Sequence, residues 1–187
     1  MDDNSVFWYP MRVTYQQEMK AKRCLDSIAV ENFLPMTYAI TDTPSGTRRV
    51  LVPAIHNLLF VRASQQDLTK LKNQYADLLP LRYMVRPATE TRPSEIITVP
   101  DKEMDDFVRV ASIKDDGVLF LDCGEYLQRP GTPVRIVEGP LAGVEGVIKR
   151  IRKNRQVVVQ VANLLAVATY VPASALLVLD KANPAEA

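Results

Sequence analysis

A chain of 187 residues, 47% hydrophobic and 24% charged, has the composition of one ordinary folded domain or two small ones, which excludes disordered and collagen-like classes. Its net charge of +1 gives no global attraction to nucleic acid, so any such contact has to come from a local patch. No apolar run approaches the roughly 20 residues that span a bilayer, and the opening MDDNSVFWY carries acids where a secretory signal carries Lys or Arg. A cytoplasmic chain with no membrane partner is expected.

The first element, VFWYPMRV, alternates, with Phe7, Tyr9, Met11 and Val13 on one face and Trp8, Pro10 and Arg12 on the other. That predicts a strand near a sheet edge, because Pro10 removes a ladder donor. From Gln16 to Ala29 the period becomes helical. Ala21, Cys24, Leu25 and Ile28 form one stripe, and Glu18, Lys22 and Asp26 are linked at i, i+4. ENFLPMTYAI then reads as a strand, TDTPSG as a turn, and TRRVLVPAIHNLLFVRA as two strands broken near Pro53 to Asn57. A second helix is predicted over SQQDLTKLKNQYADLL, capped by Ser64, with Leu68, Leu71, Tyr75, Leu78 and Leu79 at helical spacing. LRYMV makes a further strand, RPATETRPSE a loop, and a third helix begins near Asp101. Strands interleaved with helices through residue 112 imply an α/β or α+β sandwich.

Composition then shifts to short runs rich in β-branched residues: VRIV, VEGVIKRI, QVVVQV, TYVP and LLVL. About five short strands in roughly 50 residues predict a small β-barrel. VLFL, within the joining segment KDDGVLFLDCGEYLQRP, is too apolar for a solvated linker and is expected to pack on one domain or add a strand. The expected layout is 1–112, a linker at 113–130, a barrel at 131–180 and a fraying tail at 181–187.

Four of the seven glycines, Gly131, Gly139, Gly143 and Gly146, fall in GTPVRIVEGPLAGVEGVIKRI. A phosphate loop needs Gly-Lys-Ser/Thr opening a helix, whereas Gly146 leads into a β-patterned run. Turn conformations at positive φ and close backbone approach explain the cluster better. Cys24 and Cys123 stand far apart in no metal-like spacing and read as reduced thiols. His56 is the single histidine, which excludes a multi-histidine metal site, and no serine or cysteine constellation accompanies it. The acids Asp101, Glu103, Asp105 and Asp106 suit a helix N-terminus, which explains them without a cation. No cofactor, metal or catalytic residue is expected, and the chain reads as a non-enzyme.

GTPVRIVEGPLAGVEGVIKRI resembles a KOW motif, carried here by Gly139, Pro140, Gly143 and Gly146. FWYPMRVTYQQEMKAKRCLDSI is similar to the opening of the NusG N-terminal domain, ENFLPM to its next strand, AIHNLLFVRA to its Phe-Pro-Gly/Asn-Tyr-x-Phe-Val segment, and ITVPDKEMDDF to its late helix. The similarity covers nearly the whole chain in order. It is closest in character to the UpxY-type specialised paralogues, which resemble RfaH in role and act on capsular polysaccharide operons. The resemblance implies an α+β protein, with an N-terminal α/β sandwich followed by a small C-terminal SH3-like β-barrel.

It also implies binding rather than catalysis: a monomer that grips the clamp helices of the largest RNA polymerase subunit and suppresses pausing. Tyr9, Ile55, Leu58, Phe60 and Tyr83 fall at polymerase-binding positions. The sequence departs from the pattern at His56, where proline is usual, and at Leu58, where tyrosine is usual. Lys20, Lys22 and Arg23 would face nucleic acid, DNA or nascent RNA, at the elongation complex. A denser basic patch, Lys149, Arg150, Arg152, Lys153 and Arg155, would meet RNA, a ribosomal protein or another factor, although few aromatics are interleaved for base stacking. RfaH relatives can hold the second domain as a helical hairpin, but QVVVQV and VEGVIKRI favour the barrel. A housekeeping NusG-type factor and a ribosome- or RNA-binding KOW protein remain open as alternatives.

Overall fold

The computed structural model describes residues 5–44, 46–76, 79–113, 117–122, 130–151 and 153–179. Leu78, Cys123, Arg152 and the tail from residue 180 lie outside them. The chain divides into two compact units, Met1–Met104 and Asp105–Ala187. In chain order the elements are β1 (Val6–Val13), α1 (Glu18–Ser27), β2 (Asn32–Phe33), β3 (Met36–Thr43), β4 (Gly46–Pro53), β5 (Leu58–Ser64), α2 (Gln65–Gln74), β6 (Leu81–Tyr83), β7 (Val85–Arg86), β8 (Glu95–Ile96), α3 (Asp101–Ala111), β9 (Leu119–Asp122), β10 (Thr132–Ile136), β11 (Glu145–Ile151), β12 (Asn154–Val161), β13 (Leu165–Thr169) and β14 (Leu176–Val178). The expected α+β class holds, with helices in the first part and a strand-rich second part.

The first unit is organised on a sheet of order β2-β5-β1-β6. The alternation of β1 lays Tyr9, Met11 and Val13 on one face, where they join Leu59 and Val61 of β5, Ala21 and Leu25 of α1, and Leu68 of α2 in a single buried cluster. Each fully buried branched side chain there is worth about 1.5–3 kcal/mol relative to exposure. The edge expected from Pro10 is local. β1 is an interior strand, yet β6 pairs only with Met11 to Val13. Alternate residues send their N–H and C=O to alternate sides, and Trp8 accepts from Val99 N at 2.9 Å on the side away from β5. Pro10 therefore aims its missing donor into the gap between Val99 and β6, where no ladder bond is lost.

Two boundaries differ from the sequence expectation. α1 begins at Glu18 rather than Gln16, because Tyr15 and Gln16 have left-handed φ of 61° and 53°. ENFLPMTYAI is two strands: β2 pairs with β5, and after Pro35 the chain enters the separate β3–β4 hairpin. α2 starts as predicted, Ser64 Oγ accepting from Asp67 N at 3.1 Å.

In the second unit a six-stranded antiparallel sheet runs β14-β10-β11-β12-β13-β9. Strands, not a helical hairpin, occupy the segment, as its β-branched residues require. VLFL supplies the extra strand β9, paired with β13. TYVP is not a strand. The run stops at Thr169, and the missing strand is LAVAT one step earlier. β13 lies between β12 and β9 and is buried at all five residues, so it lacks the alternation that marks a half-exposed strand.

The glycine cluster divides by cause. Gly143 has φ of +89° and donates its N–H to Ile136 O at 2.7 Å, which closes the turn between β10 and β11. Gly146 lies inside β11, where an added Cβ would stand 2.7 Å from Val158 O on the next strand. That neighbour is backbone and cannot rotate away. Replacing Gly146 by Ala is expected to cost about 1–3 kcal/mol and to lower the second unit's melting temperature by several degrees. An unchanged transition in calorimetry would contradict this packing.

Candidate binding surfaces

The five residues expected to meet polymerase fall into separate places. Residues directly opposite in an antiparallel pair share a face. Tyr9 stands opposite Val61 and Met11 opposite Tyr83, which brings Tyr9 and Tyr83 together edge-on with ring centroids 5.7 Å apart and planes at 70°. Phe60 stands opposite Pro10 and Leu58 opposite Arg12, on the other face. Tyr9, Leu58 and Phe60 are buried, at 3%, 6% and 0% exposure. Only Ile55 and Tyr83 of the five keep a substantial accessible part.

Tyr83 is a junction between β6 and α2. Its hydroxyl lies 3.3 Å from Gln65 O and 3.2 Å from Thr69 Oγ1. Burial raises its pKa, with the Thr69 hydrogen bond opposing. Lys72 Nζ sits 4.3 Å from the Tyr83 ring centroid. Burial, and then the charge of Arg82, push this lysine's pKa down, while the ring's negative face favours its ammonium form.

Ile55 belongs to the turn between β4 and β5, which includes exposed His56 and Asn57, the latter at φ of 62°. The turn is fastened from α1: Asn57 N donates to Glu18 Oε1, and Glu18 is only 2% exposed. A buried carboxylate needs such a donor. Glu18 is thus drawn inward, and the expected i, i+4 chain reduces to Lys22–Asp26, 2.9 Å. Hydrogen bonds from Asn32 and then Lys22 lower the pKa of Asp26. Asp101, read from sequence as a helix-dipole acid, is also engaged by Arg62, whose Nη2 is 3.1 Å away; Arg62 Nη1 reaches Glu31 at 3.2 Å. Among the described residues no group of three or more His, Cys, Asp and Glu side chains is placed to hold a metal.

The β3–β4 hairpin carries a surface that the sequence reading passed over. Tyr38 stands opposite Leu51 and Ile40 opposite Arg49, so all four share one face. Tyr38, Ile40 and Leu51 are 41%, 78% and 54% exposed, and the Arg49 guanidinium lies 3.9 Å from the Tyr38 ring centroid. The signal was present in the alternation of TYAI and RVLV, but alternation alone does not say which face stays uncovered.

The basic groups divide as well. On α1, Lys20 and Arg23 are exposed, three residues apart on one side, while Lys22 is tied to Asp26. On the β11–β12 hairpin, Lys149 is 8% exposed, on the face of Val147, Ile151 and Val158, and burial lowers its pKa. Arg150, Lys153 and Arg155 are exposed, with Arg150 directly opposite Arg155. The turn holding Gly139, Pro140 and Gly143 is gripped by the last turns of α3. Arg109 Nη2 donates to Pro140 O and Ala142 O, both at 2.9 Å, and Asp106 Oδ2 accepts from Glu145 N at 3.2 Å.

Aromatic, branched and cationic side chains on rigid sheets and hairpins are the makings of a macromolecule-binding protein of two units. The model of the family described as transcription termination factor nusG matches residues 7–108, more than half of the chain, and the chain belongs to the NusG family. A solved structure of Thermotoga maritima NusG, described as showing domain interaction, is similar at 16% identity with a TM-score of 0.42, over 92% of this chain and 96% of that one. None of the curated proteins matches. No helix among the described residues is long and apolar enough to cross a membrane.

The Lys72–Tyr83 contact is open to measurement. Tyr83→Leu keeps the burial but removes the ring face, so the Lys72 pKa should fall further when followed by NMR of its side chain. A rise would show that the ring does not favour the ammonium.

Proposed function

We propose that this chain is an operon-specialised transcription elongation and antitermination factor, a UpxY-type member of its family, which binds RNA polymerase and suppresses pausing or termination at polysaccharide loci such as capsular ones. The observation that carries the transcription-factor part of this reading is the family match over residues 7–108, which spans nearly all of the first unit, while the UpxY-type assignment rests on the sequence resemblance alone.

In this reading the first unit docks on the clamp helices of the largest polymerase subunit. The turn at Ile55 and the partly exposed Tyr83 supply direct contact. Buried Tyr9, Leu58 and Phe60 fix the sheet beneath them. Fixing the turn through Glu18 and Asn57 limits the ordering cost of binding. Lys20 and Arg23 face the nucleic acid of the elongation complex, where exposed cations need only proximity to phosphate. The KOW turn and its barrel, residues 131 to 180, recruit a second partner such as a ribosomal protein. The protein works as a monomer without a cofactor and acts by binding alone.

Retention of core RNA polymerase on the immobilised full chain tests the reading. Ile55→Asp places a charge on a half-exposed turn and should weaken retention at least tenfold with an unchanged melting temperature. Phe60 is unsuitable for this purpose, since a charge at a fully buried position would unfold the sheet. Equal retention of Ile55→Asp would remove the turn from the contact. Co-sedimentation with ribosomes without polymerase retention would reject the reading.

A further inference from the structure

The second unit has an opening of about 210 Å³ lined mainly by apolar side chains, among them Ile148, Val157, Tyr170, Val171 and Leu176, with Arg155 at its side. It lies away from the glycine turn that α3 grips: none of the residues 137–144 lines it. Its size suits one planar group rather than a drug-sized ligand. Tyr170 is 69% exposed, an aromatic ring beside an apolar opening and open to solvent.

The neighbouring charges are arranged at a cost. Ile148 stands opposite Val157 and Arg150 opposite Arg155, so both arginines share the face of the opening. Like charges directly opposed across strands repel. Among the described residues neither arginine's side chain has an ion pair or hydrogen bond, whereas Arg135, on the neighbouring strand, is matched by Glu145 at 2.6 Å. Lys153, at φ of 71° in the hairpin turn, adds a third exposed cation. An anion bridging the two guanidinium groups removes the repulsion, and phosphate oxygens match the guanidinium fork.

We infer that this opening binds single-stranded RNA, with one base seated against Tyr170 and the adjoining phosphate held between Arg150 and Arg155. Ring and cations together distinguish a nucleotide from an acidic peptide, whose carboxylates would satisfy the arginines but leave Tyr170 and its opening without a planar partner. The choice of RNA over DNA rests on the transcription-factor reading above, because an elongation complex releases its transcript as a single strand.

The test uses the full chain and a labelled single-stranded RNA of about a dozen mixed-sequence nucleotides, with no polymerase present, read by fluorescence anisotropy. Tyr170→Ala should weaken binding roughly tenfold, as loss of one base stack does. Arg150→Gln with Arg155→Gln should weaken it and flatten the salt dependence by about 1.4 in the slope of log K against log salt. All three positions are exposed, and unchanged melting temperatures will confirm folded variants. Polymerase retention should be unaffected, so failure here and failure of the polymerase reading give different results. Wild-type affinity in the variants would overturn the site. Equal binding of DNA of the same sequence would overturn the assignment to RNA. Loss of polyglutamate binding in these variants, with RNA binding intact, would replace the nucleotide by an acidic peptide.

Discussion

The pairing of β1 is the constraint on which the first unit depends. An interior strand must satisfy the backbone on both edges and cover both faces, and here a proline sits in its middle. β1 meets these demands by pairing with β5 along nearly its whole length, with β6 only past Pro10, and with Val99 only at Trp8. That division fixes the register. A shift of one residue would move Tyr9, Met11 and Val13 out of the core and bring the proline against a strand that needs its donor. The same register sets Tyr9 against Tyr83 and sends Leu58 and Phe60 to the opposite face.

The second unit solves a different problem, that of bringing backbones close in a small sheet. Gly146 lets β12 approach β11, and Gly143 turns the chain between β10 and β11. Arg109 and Asp106 then complete the hydrogen bonding of that turn from α3. One end of the sheet is thus occupied by structure. The opening beside Tyr170, with its opposed arginines, is where the unit departs from what stability alone would select. Such departures are where function is sought.

Much of this was legible in the sequence, for reasons that differ by element. The period of two in VFWYPMRV and the helical stripe of Ala21, Cys24, Leu25 and Ile28 record burial directly, and Ser64 announces its helix by cap chemistry. β13 was missed because full burial erases alternation and LAVAT then carries no period. Glu18 was read as a member of the i, i+4 set with Lys22 and Asp26 because its partner, Asn57 N, is 39 positions away in sequence. Lys149 was grouped with its basic neighbours, although strand alternation sends it to the face opposite Arg150. Tyr170 stands fifteen residues from Arg155 in sequence, so the aromatic that the basic run lacked is supplied by the fold. Local pattern gives elements and faces; which distant groups meet is a property of the packed chain.

The chain belongs to the NusG family, and the proposed function makes it a factor that links polymerase to another component of the transcription complex. The direct measurement is single-round transcription by purified RNA polymerase, with and without the full chain, on templates carrying pause and termination sites behind either the operon's own leader or an unrelated one. Shorter pauses and greater read-through, larger behind the operon's own leader, are the predicted result. Unchanged pausing and termination on both templates, at concentrations that saturate polymerase, would contradict a role in elongation.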